Sequence, residues 1–237
     1  MAEGAGRSES PVSGAQVRVR RSALLFTAPL VLLAVLTVVL IWESVRANMA
    51  PGDQSQWPWR LHLMDMEVLG SLLAVSLGVV LARAQYARTV RPHLGWRGVW
   101  AKGMLADGAP AWRVGILNGG QYTAVIESWS IKVVMKGEED VPDARWSSVS
   151  GAAAELSAAG FTAGTDFRLI EFGAGFPLMG GVGAHETVLV GAFSEGFAQR
   201  VESLYVRARV TDVAGDTHER ITDCMKGMWT DRAVPSE

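Results

Sequence analysis

The chain has 237 residues, 49% of them hydrophobic, with 22 Lys+Arg, 24 Asp+Glu and one cysteine, enough for one ordinary domain plus a membrane anchor. Charge is uneven: residues 1–97 hold 10 Lys+Arg against 6 Asp+Glu, and residues 98–237 hold 12 against 18. The acidic second part argues against a nucleic-acid polymer, which demands phosphate-neutralising Lys and Arg, and one cysteine cannot close an intramolecular disulfide or supply a thiolate zinc site.

Residues 1–16 are rich in Gly, Ser and Ala and are expected to form a disordered tail. Residues 17–92 read as a two-helix transmembrane anchor, with helices over about 22–42 and 62–90. No charge interrupts Ser22–Trp42, 21 residues that span about 31 Å as a helix, the thickness of a hydrocarbon core. A cleaved signal peptide would have a shorter apolar core, about 7–15 residues, ending in small residues. Here Trp42-Glu43-Ser44-Val45-Arg46 follows instead.

The second stretch, His62–Ala82, has only Val68–Ala82 free of charge, so Asp65 and Glu67 are expected at headgroup level; the alternative makes them functional intramembrane carboxylates. Gly70, Ala74 and Gly78 form a small-xxx-small stripe that lets a neighbouring backbone approach. The short connection favours the first helix as that neighbour, with another copy as the alternative. Trp42, Trp57 and Trp59 suit interfacial anchoring.

Arginines set the orientation. Arg7, Arg18, Arg20 and Arg21 precede the first helix, Arg83, Arg88, Arg91 and Arg97 follow or end the second, and only Arg46 and Arg60 lie between. The positive-inside rule places both termini in the cytoplasm and the short loop outside. Arg18, Arg20, Arg21, Arg83, Arg88 and Arg91 are the juxtamembrane basic set. The abundance of Arg over Lys, 18 to 4, suggests a GC-rich bacterial genome, so the expected location is the inner (plasma) membrane.

Residues 93–230 read as a cytoplasmic β-rich domain, and 231–237 as a flexible tail. Trp129, Ile131, Val133 and Met135 alternate with polar residues, as do Leu204, Val206, Ala208 and Val210, the period of half-buried strands. Further strands are expected over Val99–Met104, Trp112–Asn118, Phe167–Phe172, Thr187–Phe193 and Thr217–Asp223. Turn signals at Asn118-Gly119-Gly120, Gly180-Gly181 and Ala214-Gly215-Asp216 separate them. The expected fold is an antiparallel sandwich or a small barrel, with one short helix over Ser150–Gly160 capped by Ser150 and stopped by Gly160.

Three segments carry a resemblance: Val114–Ala124 around Asn118-Gly119-Gly120, the Gly183-Ala-His-Glu186-Thr187 turn, and the closing hairpin from Val206 to Glu219. Over residues 96–223 the chain resembles bacterial immunoglobulin-like sandwich domains. The resemblance implies a binding module and brings no catalytic residue with it. In layout, two helices followed by a small β domain also resemble the two-transmembrane effectors of bacterial nucleotide-signalling antiphage systems.

Chemistry is hard to find. His62, His93, His185 and His218 lack metal-ligand spacing, and no Cys-x-x-Cys occurs. The glycine-rich run Gly173–Gly183 lacks the Lys-Ser/Thr of a phosphate loop. Glu138, Glu139, Asp140 and Asp143 read as a solvated acidic loop without EF-hand spacing. Cys224 has no activating neighbour in sequence. No catalytic residue, metal or cofactor is assigned. The expectation is a non-enzymatic, membrane-tethered interaction module whose partners are membrane lipids and a protein or further copies of the chain. The alternative is a ligand-gated, nucleotide-sensing effector that oligomerises through its helices.

Overall fold

The computed structural model describes residues 14–20, 23–138, 146–181 and 187–230. In chain order its elements are β1 (Val17–Arg20), α1 (Ala23–Ala47), α2 (Pro51–Gln54), α3 (Met66–Thr89), β2 (Leu94–Ala101), β3 (Ala111–Asn118), β4 (Ala124–Met135), α4 (Val149–Ala158), β5 (Phe167–Leu169), β6 (Pro177–Leu178), β7 (Val188–Phe193), α5 (Glu195–Arg200), β8 (Val201–Thr211) and β9 (Thr217–Asp223). They fall into a helical unit, 21–89, and a β unit that joins 1–20 to 90–237.

In the helical unit α1 and α3 pack on one another, and both are long and apolar enough to cross a membrane. The first helix runs to Ala47, five residues beyond the expected Trp42; the second begins at Met66 rather than His62. Asp65 offers its carbonyl to Leu69 N, 2.9 Å away, and Glu67 lies in the first turn, where the helix dipole favours a carboxylate.

The β unit contains two sheets, ordered β1-β9-β8-β4-β6 and β2-β3-β7-β5, and every strand ladder is antiparallel. Trp112, Val114 and Ile116 of β3 join Leu204, Val206, Ala208 and Val210 of β8 in one core. In β4 the expected alternation does not hold: beyond a register shift between Ile126 and Ser128 the buried positions are Ile131, Lys132 and Val134, with Trp129, Val133 and Met135 half-buried, and Lys132, expected on the wet face, is inside with its ammonium 4.9 Å from the Tyr205 ring. Gly98 lets β2 lie against a tryptophan: a Cβ there would come within 2.0 Å of the Trp112 ring.

Several expectations need correcting. Val17–Arg20 is a strand on the edge of β9, with Arg18 opposite His218, and belongs to the β unit rather than to the anchor. The end of the expected tail is tied down too: Gln16 donates to the Pro92 carbonyl (2.7 Å) and accepts from Leu94 N (3.0 Å). The strand expected over Val99–Met104 is β2, which ends at Ala101 because its register on β3 runs from Leu94↔Asn118 to Ala101↔Ala111. Likewise β5 stops at Leu169 rather than Phe172. The cap of α4 is Ser148, which accepts from Gly151 N, rather than Ser150. Gly160, with φ of +85°, does stop that helix: its N–H reaches Ser157 O and Phe161 N reaches Leu156 O, a Schellman ending.

Candidate functional site

In the helical unit the Gly70, Ala74, Gly78 stripe is exposed, and a Cβ at Gly70 or Gly78 would meet nothing within 4 Å. The expectation that it packs against the first helix is therefore corrected. Among the described residues the buried positions are Leu36 and Glu43 on α1 and Leu69 and Ser76 on α3. Leu69 and Ser76 lie seven positions apart on one face of the helix; the small residues lie on another.

Glu43 closes the hairpin. One carboxylate oxygen accepts from Leu63 N at 2.6 Å and Met64 N at 3.4 Å, and the other accepts from Arg46 Nε at 2.9 Å. A buried charge survives only when paired and hydrogen-bonded, and this one has a cation and two amides. No sequence pattern marked its burial, because its two amide partners lie 20 and 21 residues away in a segment without regular structure. Trp42 and Trp59 stack with centroids 4.6 Å apart, and Trp42 Nε1 donates to Leu61 O at 3.2 Å. Asp65 is exposed, its carboxylate 3.4 Å from His62 Nε2.

The basic set disperses. Arg18 pairs with Asp216 at 3.1 Å, and Arg91 donates to Gln16 O at 3.2 Å, both inside the β unit. Arg83 lies 5.8 Å from the Tyr86 ring. Arg20 and Arg88 are exposed, and Arg21 lies outside the described residues.

Within the β unit the groups most suggestive of chemistry are structural. His218 and Asp212 meet at 2.9 Å, with side chains 3% and 2% exposed. Asp212 also accepts from Ala214 N and Asp216 N at 2.8 and 2.9 Å. The pair therefore fastens the β8–β9 turn, and its burial denies a substrate access. Burial, reinforced by the neighbouring Asp223 carboxylate, pushes the Cys224 thiol well up, the opposite of what a nucleophilic cysteine needs. Burial also raises Asp223, against the amides of Met225 and Leu204 and the Ser203 hydroxyl, which pull it down. Among the described residues no three His, Cys, Asp or Glu side chains gather as a metal site.

An open groove of about 170 Å³ remains, lined by Ile116, Leu117 and Asn118 of β3, Pro177 and Leu178 of β6, and Met179 and Val188. Asn118 shapes it without facing a ligand: its amide nitrogen donates to Tyr122 O and Leu178 O, and its oxygen accepts from His93 N and Gly120 N. Met179 is 61% exposed, and Tyr122, Val125 and Phe176 are exposed apolar residues of the neighbouring segments. In the sequence this stretch, Gly173–Gly183, was legible only as a glycine-rich run without the Lys-Ser/Thr of a phosphate loop. The groove itself needs segments that run from Ile116 to Val188. Residues 183–186 of the Gly183–Thr187 turn and 139–145 of the acidic loop lie outside the described residues.

Compared with protein-family models, with curated proteins and with solved structures, the chain matches nothing in any of the three.

Proposed function

We propose that the chain is a two-pass integral membrane protein whose β unit is a non-enzymatic docking module of immunoglobulin-like sandwich type. The observation that carries the membrane reading is the helices' surface: in each, only 11% of the apolar window is buried, a distribution that water penalises and hydrocarbon does not. The sheet orders β2-β3-β7-β5 and β9-β8-β4 support the immunoglobulin-like assignment, since they follow the ABED and GFC arrangement of that sandwich. The flanking arginines support cytoplasmic termini and an inner-membrane location.

Docking falls to the apolar groove beside Met179, which suits an apolar side chain of a protein partner. A photo-crosslinker placed at Met179 in native membranes should give one recurrent adduct, lost when Leu117→Asp, at a half-buried lining position, is added. Crosslinking to no protein, or to the same proteins as a crosslinker at exposed Glu171, contradicts the reading.

A second reading is favoured by the outward-facing Gly70, Ala74, Gly78 stripe: a nucleotide-sensing effector whose helices assemble copy against copy. Gly70→Leu with Gly78→Leu should then abolish ligand-dependent membrane damage; unchanged damage removes that reading.

A further inference from the structure

The three tryptophans near the helical connection have two different jobs. Trp42 and Trp59 are spent on each other, stacked at an interplanar angle of 17°, with the Trp42 indole N–H already used on Leu61 O. Trp57 is 74% exposed, and Leu61 and Leu63 are 48% and 53% exposed although the backbone at both is held in place. Leu61 is held through its carbonyl by Trp42, and Leu63 through its amide by Glu43. The segment is therefore fastened in a way that keeps its apolar side chains outside.

We propose that this connection lies in the headgroup layer of a phospholipid bilayer, with Trp57, Leu61 and Leu63 entering it and the Trp42–Trp59 stack supporting them. The inference rests on the two-pass reading. What argues for lipid is continuity: Ile41 and Val45 on α1 and Met66 and Val68 on α3, at the helix ends that the connection joins, are also 45–59% exposed. An amphipathic indole at the end of an apolar helix partitions to the headgroup level. Charge supplies no attraction. Residues 48–65 carry Asp53 and Asp65 against Arg60, so binding is apolar in origin and indifferent to anionic lipid.

The test uses the full chain in phosphatidylcholine vesicles, with fluorophores attached to cysteines introduced by Trp57→Cys, Leu63→Cys, Asp53→Cys, Val38→Cys and Val75→Cys. Native Cys224 is buried and does not compete for label. Nitroxide lipids quench from the headgroup or from deep in the acyl chains. Labels at 57 and 63 should be quenched by headgroup nitroxides roughly two-fold or more over the label at 53, as interfacial residues are, with no change when phosphatidylglycerol is added. Quenching at 57 and 63 equal to that at 53, with Val38 and Val75 labels quenched from the deep position, overturns this proposal and leaves the two-pass reading standing. If labels at Val38 and Val75 escape the deep nitroxide, the two-pass reading falls and this proposal with it.

Discussion

Val38 and Val75 of the helical unit are each 65% exposed, whereas Val206 and Val210 of the β unit are 0% exposed. The side chain is the same, and the two units place it oppositely. The β unit builds a core that excludes water by itself. Among the described residues the helical pair buries four, Leu36, Leu69 and the polar Glu43 and Ser76, and it turns most of its valines and leucines outward. On the two-pass reading, hydrocarbon covers this inverted distribution. Its hydroxyls agree: Thr37 and Ser71 each return a hydrogen bond to the carbonyl four residues back, so neither calls for water.

The contrast can be broken most forcefully at the β core. Phe197 is fully buried and lies within 6.0 Å, centroid to centroid, of Phe161, Phe167 and Phe193. Phe197→Ala should cost about 3–5 kcal/mol in denaturant unfolding of the β unit. Val38→Ala, on an outward face, should leave that unfolding unchanged. A charge sharpens the comparison from the other side. Val75→Asp should cost about 2.5–3.5 kcal/mol of helix insertion, read as the fraction recovered in alkali-washed membranes. Val213→Asp, 54% exposed on the β8–β9 turn, should not alter that fraction.

Glu43→Ala takes the acceptor from two amides and strands Arg46, a loss of about 1–3 kcal/mol. Limited proteolysis should then cut faster between Ala50 and Met64, while Glu43→Gln, which keeps an acceptor, should cut less readily than the alanine variant. The smallest effect is a pH slope. Because the folded pKa of Asp223 is raised, mainly by burial, the folded state holds this proton more tightly than the unfolded chain. Stability should therefore fall as pH rises from about 3.9, the ordinary aspartate value, through the raised one. Asp223→Asn should flatten that part of the pH–stability profile.

Much of the fold was legible where local period and burial coincide. The alternation in β8 marked its buried face, and the uninterrupted apolar run marked α1. What escaped was decided by distant partners. Val17-Arg18-Val19-Arg20 has the look of a basic flank; pairing with β9 and the Arg18–Asp216 contact make it a strand. The two residues of β6 and the six of α5 are too short to show a period. The small-residue stripe was legible as composition, but its direction was not, because Leu69 and Ser76 settle which face of α3 meets α1. The groove had no local signature, since β3, β6 and β7 meet only through the fold.

The central claim is that hydrocarbon covers the outward faces of α1 and α3. It is tested most directly by exposing Val38→Cys, Val75→Cys and Val213→Cys variants of the full chain, held in lipid nanodiscs, to a water-soluble maleimide. All three native side chains are more than half exposed. Rapid modification is expected at 213, and none at 38 or 75 until the protein is unfolded in dodecyl sulfate. Modification at 38 and 75 as fast as at 213 would contradict it.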